Sequence, residues 1–124
     1  MKTRSGAKIP SPDHPITISP ARQRIRIFSG DRQIADSDNT LVLQEASYPA
    51  VYYVPRSDAD MATLSRSEKT TYCPYKGEAS YFSVRSAEGD LEDAVWSYET
   101  PFAAVGQIAG HLAFYPDKVR IEVG

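Results

Sequence analysis

Between Thr70 and Val84 the chain reads TTYCPYKGEASYFSV, and its residues 73–76, Cys73, Pro74, Tyr75 and Lys76, bring a thiol, a phenol and an amine together ahead of Gly77. A thiolate becomes a nucleophile when a histidine, a cation or a helix N-terminus stabilises it, so Lys76 and His111 are the residues that would activate Cys73. The amine of Lys76 can meet an anionic group or become covalently modified. The same stretch also fits a turn between two strands, with Cys73 a small packed side chain and Lys76 solvated.

Metal chemistry and covalent nucleotide chemistry lack their residues. A structural zinc takes four ligands, commonly cysteines in CxxC pairs with or without histidine. The chain has one cysteine and two histidines, His14 and His111, so neither a metal centre nor an internal disulfide is expected. Lysines that carry a nucleotidyl group sit in Lys-x-Asp-Gly. Here the run is Lys76-Gly77-Glu78-Ala79, with glutamate where the motif has aspartate and the closing glycine absent. No cofactor is implied.

Aromatic usage offers a second kind of site. All eight tyrosines fall between Tyr48 and Tyr115, in company with Trp96, Phe82, Phe102 and Phe114. A tyrosine ring is apolar over most of its area and ends in a hydroxyl that seeks a partner, which suits a partly wet pocket wall as well as a core edge. Trp96 and Tyr98 share one strand face, and Tyr52 shares one with Arg56, an arrangement that fits either an anion clamp or an ordinary salt bridge.

These residues must be positioned by short strands. "QRIRIFS" alternates Ile25 and Ile27 with Arg24 and Arg26, and Gly30-Asp31 before "RQIADS" marks a hairpin. "TLVLQEAS" reads as strand or helical turn, and "AVYYVPR" as a strand confined between Pro49 and Pro55. Residues 57–65 suit a short helix capped by Ser57 or Asp58. "ASYFSVRS" and "EDAVWSYET" flank a second hairpin at "AEGD". Residues 101–110 run from proline to glycine, as a short helix does. "HLAFYP" and "KVRIEV" close the chain as strands. Without a βαβ rhythm, the pattern predicts a mainly β, single-domain, folded antiparallel sheet or partly open barrel with one or two short helices. Residues 1–15 hold three of the nine prolines and few apolar groups, so a mobile N-terminal arm is expected there, with one β-rich domain over 16–124.

Charge narrows the function classes. The net charge is -2, yet residues 1–32 carry seven Lys/Arg against Asp13 and Asp31, leaving seven against fourteen acids in the body. An acidic body argues against a nucleic-acid surface. No signal-peptide pattern and no apolar run of about 20 residues is present, so no membrane span is expected, and the lone cysteine fits a reducing, cytoplasmic setting.

Four ordered stretches, "EASYPAVYYVPRSDADM", "TTYCPYKGEASYFSV", "AVWSYETP" and "GHLAFYPDKV", together resemble the bacterial family catalogued as domain of unknown function 427, over roughly residues 14–123. The resemblance implies a compact fold akin to the β-tent, known in zinc-binding and methionine-sulfoxide-reductase-like proteins, some of which hold zinc through paired CxxC motifs absent here. It also brings a nucleotidyltransferase-like label for which the chain has neither a Gly-Ser with paired acids nor Lys-x-Asp-Gly. Glu45, Tyr48, Tyr52, Pro55, Arg56, the run Cys73 to Gly77, Tyr81, Trp96, Tyr98, Phe114 and Tyr115 fall on the shared motifs, which carry no assigned roles.

The favoured reading is a binding domain. Tyr52, Tyr75, Tyr81, Trp96 and Tyr98 would wall a pocket for a small anionic molecule met by Arg56 and Lys76. The alternative is a group-transfer enzyme with Cys73 or Lys76 as nucleophile or acid and Glu45 as base. A protein-interaction domain built on an exposed aromatic patch is the third.

Overall fold

The computed structural model describes residues 7–124. The period-two signal appears in it as β1 (Ile16–Pro20), β2 (Ile25–Ser29), β3 (Arg32–Ser37), β4 (Leu41–Glu45), β5 (Val51–Tyr53), β6 (Leu64–Cys73), β7 (Gly77–Val84), β8 (Leu91–Ser97), β9 (Ala113–Phe114) and β10 (Arg120–Val123). They form three antiparallel sheets with orders β1-β4-β5, β10-β2-β3 and β6-β7-β8-β9, none closed into a barrel.

Alternation along β7 explains how the sheets stack. Successive side chains point to opposite faces. Ala79 and Tyr81 therefore enter one apolar cluster, with Leu43 and Tyr53 of the β1-β4-β5 sheet. Phe82 and Val84 enter the other, with Ile25, Ile27 and Ile34 of the β10-β2-β3 sheet. The four-stranded sheet is thus the middle layer, apolar on both faces.

The hairpin at Gly30-Asp31 forms as expected: Ser29 pairs with Arg32, and Gly30 takes φ +59. The helix expected over 57–65 is replaced by two 3-10 turns, Arg56–Asp58 and Met61–Thr63. The cap of the second is Asp60, whose carboxylate accepts the Ala62 N–H at 3.2 Å, not Ser57 or Asp58. Leu64 already belongs to β6, a long edge strand whose polar centre carries no period-two apolar signal. Residues Ala103–Ile108 are likewise 3-10, broken at Val105 (φ -123). Among the described residues no helix is long and apolar enough to cross a membrane.

Of the segment expected as an N-terminal arm, residues 1–6 lie outside the described residues; in the rest Ile9 is 83% exposed and two backbone hydrogen bonds reach the body. The Lys8 N–H donates to the Pro74 carbonyl at 2.8 Å, and the Ala46 N–H donates to that of Pro15 at 2.8 Å.

The stretch with the thiol, phenol and amine is the β6–β7 hairpin, in which Cys73 pairs with Gly77. Gly77 adopts φ +108, and a Cβ there would lie 3.7 Å from the backbone of 100–102, so space is available but the backbone conformation is not one a side chain tolerates. Gly77→Ala is expected to cost about 1–3 kcal/mol through that strain. Urea denaturation checks this; an unchanged midpoint would mean that the turn relaxes to a negative φ.

Candidate functional site

Between the β1-β4-β5 sheet and the middle sheet lies a cleft of about 260 Å³. Register explains its lining. Leu43 of β4 pairs with Val51 of β5, and Leu41 pairs with Tyr53, so these side chains share the inward face. Opposite them, the pairing of Tyr81 with Trp96 sets two rings side by side on the middle sheet, with Tyr98 two residues beyond Trp96. Tyr48 and Pro49 from the β4–β5 loop, and Tyr115 after β9, complete the rim.

The polar end of the cleft is an ionic cluster. Lys76 is only 9% exposed; its Nζ donates to Glu45 Oε1 and lies 5.9 Å from the centre of the Tyr98 ring. Nε2 of His14 is 2.8 Å from Glu45 Oε2. Burial alone would raise the Glu45 carboxyl, but the hydrogen bonds from Lys76 and His14 outweigh it and hold the group below the usual carboxylate range. Glu45 is therefore ionised at neutral pH and accepts from both neighbours.

This shift has a sign. A carboxyl whose folded value is depressed adds stability that is present above the unfolded value of about 4.3 and is lost as pH falls through the folded one. Below about pH 4.3 the wild-type protein should thus lose stability more steeply than Glu45→Gln, which has no such proton to take up. Melting temperatures between pH 7 and pH 2.5 decide it, and parallel curves would show that Glu45 gains nothing from its neighbours.

Tyrosine hydroxyls tie the walls together. Trp96 Nε1 donates to the Tyr53 hydroxyl at 3.3 Å, with the two rings edge to face at 87°. The hydroxyls of Tyr81 and Thr71 are 2.9 Å apart. Burial, then the hydrogen bond with Tyr81, pushes the Tyr115 phenol up to about 12, and burial likewise raises Tyr53 and Tyr98. These phenols are neutral at pH 7, so their hydroxyls can both donate and accept.

Of the residues singled out in the sequence, Glu45, Lys76, Tyr81, Trp96 and Tyr98 meet in this cleft. The expected clamp of Arg56 with Lys76 is not formed. Arg56 lies over the Phe82 ring at 5.4 Å and donates to Ser97 Oγ and Glu99 Oε2, both at 3.3 Å, on the opposite face of the middle sheet. The salt-bridge alternative describes it, with Arg66 sharing Glu99 at 3.2 Å. Tyr52 also turns away, because Tyr53 is the residue of that pair in register with the inward Leu41. Tyr75 stacks on His14 with ring centres 4.0 Å apart and planes 3° apart, outside the cleft lining. Cys73 is a half-buried free thiol packed at the edge of the Leu43–Tyr53 cluster and does not line the cleft.

His14, Tyr48, Tyr53 and Tyr115 were not among the predicted site residues. His14 sits in a proline-rich segment with no periodic signal; its one hint is that the family-like stretch begins there. His111, the base available to Cys73 in sequence terms, instead directs Nδ1 at the Ala109 carbonyl, 3.1 Å away.

Fold and site together define a class: a mainly β domain whose stacked antiparallel sheets enclose an aromatic cleft with a lysine–carboxylate pair at one end. The chain belongs to the family described as Domain of unknown function (DUF427), which it matches over residues 17–124. No curated protein matches it.

Proposed function

We propose that the protein is a small-molecule-binding domain, and that its cleft takes a compact ring-bearing molecule whose carboxylate or carbonyl oxygen faces Lys76. The observation that carries this reading is a lysine, Lys76, only 9% exposed at the end of a cleft walled by Tyr53, Tyr81, Trp96 and Tyr98. An ammonium has three donors and Glu45 engages one, so the others can turn to a ligand. The rings supply area for burial, and the hydroxyls orient polar edges. At about 260 Å³ the cleft lies just below the usual range of about 300–1,000 Å³, which selects small ligands.

Group transfer through Lys76 is less well supported. The Lys76 Nζ is already engaged as a donor to Glu45 Oε1, a buried pairing that a covalent step at that nitrogen would have to break. Cys73 is not in the cleft lining, and His14 and His111 are directed at Glu45 and the Ala109 carbonyl.

Trp96, the only tryptophan in the chain, reports on the cleft directly. Titration with 4-hydroxybenzoate should change its fluorescence saturably. Lys76→Met should weaken binding at least tenfold, the direct loss of a charge-assisted hydrogen bond of about 1.5–3 kcal/mol, while Arg56→Gln on the other face leaves it unchanged. Equal loss in both variants, or none in Lys76→Met, would refute the reading.

A further inference from the structure

We infer that the ligand is an amphiphile, with its polar ring in the cleft and an apolar tail in a second groove behind Trp96. This rests on the reading of the cleft as a ligand site. The groove, about 480 Å³, runs from the β4–β5 loop to the end of β10, and its deeper wall includes Ile27, Phe114 and Ile121. None of its lining residues is charged. Four of them, Tyr48, Pro49, Val51 and Trp96, also line the cleft, so the same wall serves both spaces.

The chemistry therefore grades in one direction, from the Glu45–Lys76 pair, through the rings, to an aliphatic mouth at Val123, which is 44% exposed. A compact polar molecule would use only the first half. An aryl carboxylate bearing an alkyl or prenyl chain matches the whole sequence of surfaces, because each methylene placed in the groove leaves water. The adjacency of the two spaces across four shared residues, with charge confined to one end, favours such a chain over a peptide, whose backbone would need hydrogen-bond partners that an apolar groove does not offer.

The test is a series of 4-alkoxybenzoates, methoxy, butoxy and octyloxy, titrated against Trp96 fluorescence. Affinity should rise by up to about fourfold per buried methylene until the groove is filled. Val123→Glu at the mouth and Ala50→Phe, at an exposed position lining the groove, should abolish that dependence while 4-methoxybenzoate still binds. If 4-methoxybenzoate binds but chain length has no effect, the tail site is wrong and the cleft reading stands. If octyloxybenzene without the carboxylate binds as well as the acid, and Lys76→Met makes no difference, the groove acts alone and the amphiphile is overturned. Self-association that Val123→Glu breaks and the octyloxy probe does not displace would assign the groove to a second copy of the chain. No binding at any chain length overturns both the inference and the cleft reading.

Discussion

Lys76→Ala should destabilise the fold by about 2–4 kcal/mol. The side chains of Lys76 and Glu45 are 11% and 14% exposed, so removing the ammonium leaves a carboxylate largely out of water, a change that costs about 3–5 kcal/mol when nothing compensates. His14 remains as a second donor to Glu45, which moderates the loss. A solvated turn lysine, the other possibility the sequence offered, would cost no more than about 0.5 kcal/mol. Chemical denaturation of Lys76→Ala, Glu45→Ala and the double variant separates the two. The double variant should cost less than the sum of the singles, since it leaves no charge stranded. Strict additivity with a small Lys76→Ala effect would mean that water reaches the pair freely.

Tyr53→Ala should cost about 3–5 kcal/mol, the range for deleting a fully buried aromatic ring. Tyr53 is 1% exposed, packs with Leu43 and Tyr81, and forms part of the cleft wall. Tyr53→Phe should cost about 1 kcal/mol, because the ring stays and only the acceptor for the Trp96 N–H is lost. A shift in Trp96 emission should accompany that smaller change. Equal losses in the two variants would show that the hydroxyl, rather than the ring, holds the wall in place.

Strands with one clean apolar face were legible in the sequence. Ile25 and Ile27 alternate with arginines and pair across a Gly-Asp turn, so both the strand and its hairpin could be read from period and turn chemistry. β6 could not, because an edge strand with a polar centre buries too little to leave a pattern. The helices expected over 57–65 and 101–110 are 3-10 turns, the first of them two separate turns with Leu64 already in β6, because so short a segment closes as readily with i,i+3 bonds as with an α-helical turn. In the site, the aromatic run and the Lys76 hairpin stood out by composition. Which of Tyr52 and Tyr53 faces the cleft depended on a one-residue register set by pairing with β4, and a slip of one residue reverses every side chain. The meeting of His14, Glu45 and Lys76 joins residues 31 apart at each step, a tertiary relation with no local signature.

Amide NMR of the labelled 124-residue chain, titrated with 4-hydroxybenzoate, tests most directly whether the cleft is the functional site. Binding there should shift the amides of Glu45, Val51, Tyr53, Lys76, Tyr81, Trp96 and Tyr98, residues brought together by four strands and one hairpin, and leave those around Arg56 and Arg66 in place. Shifts centred on Arg56, Arg66 and Glu99, or no shifts at millimolar probe, would contradict it.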